Sequence, residues 1–202
     1  SGFRSPNIDD IGKIREKDGL LTVPNINLKP EYAYNGELGI TKFFTNKQNQ
    51  IAINGFYTLL NKYIYRTNLI VDNDNSTSDP NTVIYDNEEV TTVANINGDT
   101  AYIFGGTLDA SFSPLKNITI KGNITYTKGK TYDTDKSLPS ISPLFSSISI
   151  RYQKNKIDGG LFWRYSAKKN ADEYSTGGED NLNQSPFVDP NIAIDGDEYY
   201  AG

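Results

Sequence analysis

Fourteen tyrosines, with no histidine, cysteine or methionine, set the chemistry open to this chain. Without His the commonest general base and metal ligand at neutral pH is missing. Without Cys there is no disulfide and no thiolate metal site. Tyr63, Tyr65, Tyr85, Tyr132, Tyr174, Tyr199 and Tyr200 lie in or beside long polar connections. A phenol ring there can contact a flat organic ligand, because it joins an apolar face to a polar tip. The plainer reading is packing among the loops. Arg4, Arg66 and Arg164 can attract an anionic ligand. Arg4 can instead stabilise its own loop, and Arg164 can pair with Glu37 or Asp109 across a wall. Asp72, Asp74, Ser76 and Asp79 alternate as calcium-loop ligands do, yet the Gly and the distal Glu of an EF-hand are missing, and the run reads as a solvated loop. Asn75-Ser-Thr, Asn117-Ile-Thr and Asn123-Ile-Thr match the glycosylation pattern by chance, two of them inside one strand. Glu88 and Glu89 are adjacent, so in a strand they point apart. There is no Ser/His/Asp set, no phosphate loop and no spaced carboxylate pair. Neither an enzyme nor a bound cofactor is expected.

The elements that must position these residues are strands. In Asn117-Ile-Thr-Ile-Lys-Gly-Asn-Ile-Thr-Tyr-Thr-Lys128, odd positions are polar while Ile118, Ile120, Ile124 and Tyr126 share the other face. The same alternation marks Glu31–Thr45, Gln50–Leu60, Thr100–Phe112, Ser146–Gln153 and Ile157–Ala167. Asn46–Asn49, Ser113–Lys116 and Lys154–Lys156 are short turns. Residues 1–30 read as irregular, with a short helix within Asn7–Arg15. Residues 61–99, 129–143 and 168–202 read as long polar loops.

Such strands are long enough to tilt across a bilayer core, which takes roughly 9–11 residues. Short turns on one side, long loops on the other, and aromatics near both strand ends are how outer-membrane barrels are built. Tyr32, Tyr34, Tyr126 and Tyr165 lie towards the long loops; Phe44, Phe112 and Tyr152 lie towards the short turns. The net charge of −5 argues against nucleic acid as a partner. No apolar run approaches a membrane helix, and a barrel needs none. The expected fold is all-β: an antiparallel up-and-down transmembrane β-barrel segment of about six long strands, with short periplasmic turns and long extracellular loops. A soluble antiparallel sandwich alternates too, but it buries the apolar face and prefers shorter strands.

Gly2-Phe-Arg-Ser-Pro6 resembles the GFRxP signature of TonB-dependent outer-membrane receptors. Pro24-Asn-Ile-Asn-Leu-Lys-Pro-Glu31 resembles their NPxLKPE signature, with Ile26 departing from it, and Asn35–Gly39 continues it. Ala52–Tyr57 is similar to the AxxxxFY strand, and Leu138–Phe145 to the LPxIPPxxG element, with Ser142 and Ser146 departing. The resemblance covers nearly the whole chain. It implies a partial barrel domain over residues 1–202, with the plug domain and terminal strands outside it, in the bacterial outer membrane. It implies active uptake of a scarce nutrient such as a ferric siderophore or haem, captured by the loops. Arg4, Tyr63, Tyr65, Arg66, Tyr85, Tyr132 and Tyr174 are the expected contacts. With no His, any haem-iron ligand here would be Tyr. Implied partners are outer-membrane lipid, the plug domain of the same protein, the energy-transducing TonB system and the small-molecule ligand. A soluble all-β cell-surface binding or adhesion module is the alternative. A passive porin-like barrel is a third reading, which the GFRxP and NPxLKPE matches disfavour.

Overall fold

The computed structural model describes residues 1–17, 19–44, 49–70, 79–98, 100–142, 144–169 and 173–174. In chain order the elements are β1 (Gly2–Arg4), α1 (Ile8–Ile11), β2 (Arg15–Lys17), β3 (Leu20–Thr22), β4 (Glu31–Phe43), β5 (Gln50–Asn61), β6 (Ile64–Asn68), β7 (Thr82–Tyr85), β8 (Glu88–Asn97), β9 (Thr100–Leu115), β10 (Ile118–Thr131), β11 (Phe145–Lys154) and β12 (Ile157–Ser166). The six alternating segments of the sequence are β4, β5, β9, β10, β11 and β12. They pair antiparallel in that order, and β1 adds to the free edge of β4 at Glu31–Ala33.

The register joins their apolar positions into one continuous face. Ile40 lies beside Ile53, Ile53 beside Leu108 and Leu108 beside Ile124. Ile120 lies beside Ile150, and Ile150 beside Leu161. No layer among the described residues covers this face: Ile40 is 70% exposed, Ile53 60% and Leu161 77%. A water-soluble sandwich would have buried these residues, since each large aliphatic side chain left in water forgoes about 1.5–3 kcal/mol. Aromatics border the band at both ends. Tyr57 stacks on Tyr102 with centroids 6.1 Å apart, and Trp163 on Tyr165 at 5.9 Å, towards the long connections. Phe44 and Phe112 meet at 5.9 Å towards the short turns.

The opposite face is polar and internally bonded. Asn54 donates to Glu37. Thr107 and Thr125 share a hydroxyl contact of 3.2 Å, and Ser147 donates to Asn123 at 3.1 Å. The expected pairing of Arg164 with Glu37 or Asp109 is not formed. β12 is separated from β4 by four strands and from β9 by two, and neighbouring strands lie about 4.8 Å apart. The Arg164 guanidinium lies instead 4.7 Å over the Phe162 ring, two residues away on the same face. The expected turn at Ser113–Lys116 is smaller than read, because β9 runs on to Leu115. The register slips by one residue between Ile118 and Ile120, beside Pro114, which has no N–H to give the ladder. Of the turn at 46–49, only Asn49 lies within the described residues.

The segment read as irregular (1–30) and the one read as a long polar loop (61–99) both contain strands. β6 and β8 continue the β5/β9 hairpin beyond the wall: Asn61 pairs with Thr100, and three residues further Ile64 pairs with Asn97. β6 and β7 follow one another along one edge of β8, and β3 pairs parallel to its other edge. Asp86-Asn87, at φ 51° and 64°, closes the β7/β8 hairpin as a two-residue turn. Where β6 ends and β7 begins, Thr92 holds both flanks: its hydroxyl lies 2.6 Å from the Leu69 carbonyl and 2.9 Å from that of Asn81. Thr92 is fully buried. The acidic run at 72–79 lies outside the described residues except Asp79. Within 1–30, the expected helix shrinks to Ile8–Ile11, and Arg15 begins a strand instead of closing a turn.

Candidate functional site

The site is the end of the wall from which the long connections leave. Its foundation is a cluster on the polar side of the sheet, where Leu60, Ala101 and Leu138 are buried with Ala33, Tyr63, Ile103 and Ile141 against them. The segment Leu138-Pro-Ser-Ile141 folds back onto this face. Ser137 bridges to Lys130, and the Leu138 N–H donates to the Gly129 carbonyl at 3.0 Å. Gly129 permits this, since a Cβ there would lie 3.1 Å from both Leu138 and Ile141. At Gly105 a Cβ would meet the Tyr126 carbonyl oxygen at 2.4 Å and the Phe56 ring at 2.8 Å, so bare backbone is required under that ring.

Above the cluster stand Tyr63 and Tyr65, stacked at 5.9 Å with their planes 5° apart. Gly98 makes room for them: its N–H donates to the Tyr63 carbonyl at 2.7 Å, and a Cβ would strike the Tyr65 ring at 2.8 Å. These two are the expected contact residues that the fold brings together. Arg66 points to the other side of β6; its Nε is buried with no hydrogen-bond partner among the described residues. Tyr85 is exposed at the tip of the β7/β8 hairpin. Tyr132 turns onto the apolar face, where its hydroxyl meets that of Tyr57 at 2.7 Å and its ring lies 4.9 Å from Tyr102. Tyr174 is buried beneath the Lys169 ammonium, 4.4 Å from its ring centroid. Tyr199 and Tyr200 lie outside the described residues.

Arg4 belongs to a fastening that the sequence reading saw only in part. Its Nη2 donates to both carboxylate oxygens of Asp10, at 2.9 and 2.8 Å. Asp10 also accepts from the Asn7 N–H at 3.0 Å, while Asn7 caps α1 by accepting from the Asp10 N–H at 2.9 Å. The fourth strut crosses to β8, where Asn95 Nδ2 donates to Asp10 at 3.1 Å. Asn25 donates to the Asn95 carbonyl at 2.9 Å. Asn97 accepts from the Lys29 N–H at 2.7 Å and donates to the carbonyls of Lys29 and Lys62, both at 2.9 Å. Glu31 accepts from the Ile64 N–H at 2.8 Å. Residues 1–31 thus strap the outgrown sheet to the wall. Asn7-x-x-Asp10 was the legible signal, as a capping box; Asn95 and Asn97 gave none. Among the described residues no three His, Cys, Asp or Glu side chains gather to hold a metal ion.

A sheet of membrane-length strands, bare and apolar on one face, polar on the other, carrying a strapped loop domain at one end, defines a section of transmembrane β-barrel wall. The chain belongs to the TonB dependent receptor-like β-barrel family, whose family model matches residues 1–196. No curated protein matches it by sequence. Solved structures share the fold. "Copper transporter OprC" is 19% identical with a TM-score of 0.62, over 87% of this chain and 24% of that one. The siderophore receptor PirA from Acinetobacter baumannii is 18% identical with a TM-score of 0.57, over 79% and 22%. The FrpB iron transporter from Neisseria meningitidis is 17% identical with a TM-score of 0.50, over 76% and 22%. The chain therefore spans about a quarter of the length of these structures.

Proposed function

We propose that this chain forms part of the wall and the extracellular mouth of an outer-membrane receptor that actively takes up a scarce nutrient, such as a ferric siderophore or haem. The exposed apolar face carries the reading, because only lipid gives such a surface a stable environment. Family membership, and neighbours named as a copper transporter, an iron transporter and a siderophore receptor, support it. On this reading the apolar face meets outer-membrane lipid, and the polar face encloses a plug domain supplied by the rest of the protein. The TonB system supplies energy through that plug. The protein is a transporter and not an enzyme. Tyr63 and Tyr65 are the leading ligand contacts, offering two parallel phenols to a planar organic ligand or an iron chelate. Tyr85 extends the surface outward, whereas Arg66 lies on the other side of β6. Arg4, Tyr132 and Tyr174 serve chiefly to hold the mouth in shape.

The test uses the full-length protein in its native cell. A heat-modifiable band in the outer-membrane fraction, together with iron-chelate or haem uptake that falls in Tyr63→Ala/Tyr65→Ala, is expected. A soluble band at the mass of this chain alone would overturn the reading.

A further inference from the structure

We infer that the open edge of β4 is the seat of a wall strand formed by the residues that immediately precede Ser1 in the full-length protein, in a register already set by β1. The inference rests on the outer-membrane reading above, in which the rest of the protein completes the wall. β4 pairs with β5 along nearly its whole length, from Tyr32 with Asn61 to Phe43 with Gln50. On its other edge only Glu31–Ala33 is paired, with β1, among the described residues. The edge from Tyr34 to Phe43 therefore presents a row of backbone donors and acceptors at membrane depth, where hydrocarbon supplies no partner. Nor does it carry the devices of an edge meant to stay free: there is no proline in 34–43, and the β4/β5 register runs without a bulge.

β1 identifies the occupant. It runs antiparallel to β4, with Gly2 beside Ala33, Phe3 beside Tyr32 and Arg4 beside Glu31. Each step back along β1 moves one residue down β4 towards the short turns, so the chain arrives at Gly2 along the open edge. β1 is also in phase with the wall. Phe3 is 71% exposed on the apolar face, its ring centroid 6.4 Å from that of Tyr32, while Arg4 turns to the polar side and its bonds to Asp10. That ion pair fastens the upper end of the strand. Continued upstream, the same register sets Ser1 against Tyr34, and the residues two, four and six positions before Ser1 against Gly36, Leu38 and Ile40 on the lipid side. The residues three, five and seven positions before it face the lumen with Glu37, Gly39 and Thr41. Reaching Phe43 takes about nine residues, the length of a membrane-crossing strand. A strand so placed leaves no rung of β4 open, and makes β1 the outer end of a wall strand instead of a separate element.

The experiment is cysteine cross-linking of the full-length protein in native outer membranes. This chain has no cysteine of its own. Residues directly opposite in an antiparallel pair have Cα atoms about 4.5–5.5 Å apart, within disulfide reach. Leu38→Cys is combined with a Cys substitution four positions before Ser1 and, for comparison, with one five positions before it; each single-cysteine variant is the background. Oxidation should abolish thiol labelling in the first pair and leave it intact in the second, whose side chains point to opposite faces. Preference for the second pair, or labelling retained by both in protein with an intact heat-modifiable band, would overturn the assignment. A disulfide-linked dimer of Leu38→Cys alone would overturn it too, giving the edge to a second copy of the chain. Should Leu38→Cys lose the band, Ile40→Cys with a Cys substitution six positions before Ser1 decides by the same criterion. The wild-type chain gives an independent reading: a charged residue four or six positions before Ser1, on the lipid face within the membrane, would overturn the strand. Failure to cross-link in membrane-embedded protein sinks the inference alone; protein recovered outside the membrane sinks the function as well.

Discussion

Replacing Asp10 with Ala should release the outgrown sheet from the wall while leaving the wall folded. Asp10 is 8% exposed, and its carboxylate accepts from Arg4, Asn7 and Asn95. The Arg4 side chain is 47% exposed, so the ion pair is discounted for solvent to no more than about 1 kcal/mol. Loss of one arm of the capping box costs about 1 kcal/mol. The bond from Asn95, to a charged and largely buried acceptor, adds about 1.5 kcal/mol. The total of at most about 3.5 kcal/mol falls on the docking of residues 1–30 against β8, and raises the population of the undocked state by up to roughly 400-fold. Hydrogen exchange on the full-length protein reads this directly. Amides of 15–23 and 88–97 should exchange faster in Asp10→Ala, while those of β9 and β10 stay protected. Asn95→Ala should produce part of the effect and add little on top of Asp10→Ala, since the two share one bond. Unchanged exchange at β3 and β8, or equal loss of protection throughout β9 and β10, would refute the strap.

Three further outcomes follow from the same geometry. Ile150→Arg places a charge on the apolar face and should cost about 2–4 kcal/mol of barrel stability in lipid, whereas Ser149→Arg, on the polar face one residue away, should cost far less; folding titrations in lipid vesicles compare the two. Gly105→Ala drives a Cβ into the Tyr126 carbonyl and should destabilise the β9/β10 pair by about 1–3 kcal/mol, seen as a lower temperature for loss of the heat-modifiable band. Leu138→Ala leaves a void beside Leu60 and Ala101, costing about 2–5 kcal/mol locally, and should expose Ser137–Ser142 to protease without shifting that temperature.

The six wall strands could be read from sequence because lipid imposes a strict period of two on one face, and nothing else in the chain overrides it. Ile118, Ile120 and Ile124 alternate with Thr119, Lys121 and Asn123 because one set meets apolar surroundings and the other does not. β8 lacks that signal. Val90, Thr92 and Ala94 are buried on one side of the strand, and Val93 is buried on the other. β2 and β3 are three residues each and carry no period at all. The tyrosines were visible as a class, but a loop residue's side of the wall depends on where the chain turns. Tyr132 follows β10 directly and falls on the apolar face, whereas Tyr63 follows the bend at Lys62, φ 56°, and reaches the polar side. Arg4 and Asp10 were within reach as a local pair; that the pair also meets Asn95, 85 residues beyond Asp10, is a fact of the fold.

The bend between wall and outgrown sheet is where the two parts of the molecule differ in physics. Within the wall, opening one rung exposes backbone groups to hydrocarbon, where each finds no partner, so the ladder of β5 and β9 is locked by its surroundings. Three residues further out, the rungs of β6 and β8 compete with water, and a hydrogen bond there contributes only about 0.5–1.5 kcal/mol net. Rigidity beyond the membrane must therefore come from side chains, and the bend is where they collect. Asn97 bridges Lys29 and Lys62, Glu31 holds Ile64, and Asp10 gathers Arg4, Asn7 and Asn95. All are polar contacts that a local rearrangement can exchange for water. A ligand seated at Tyr63 and Tyr65, as proposed, would sit directly on this joint, with the lipid-locked ladder below it and the exchangeable straps beside it. On the proposed function, conformational change on binding is expected in the strapped sheet, with the wall as the fixed frame.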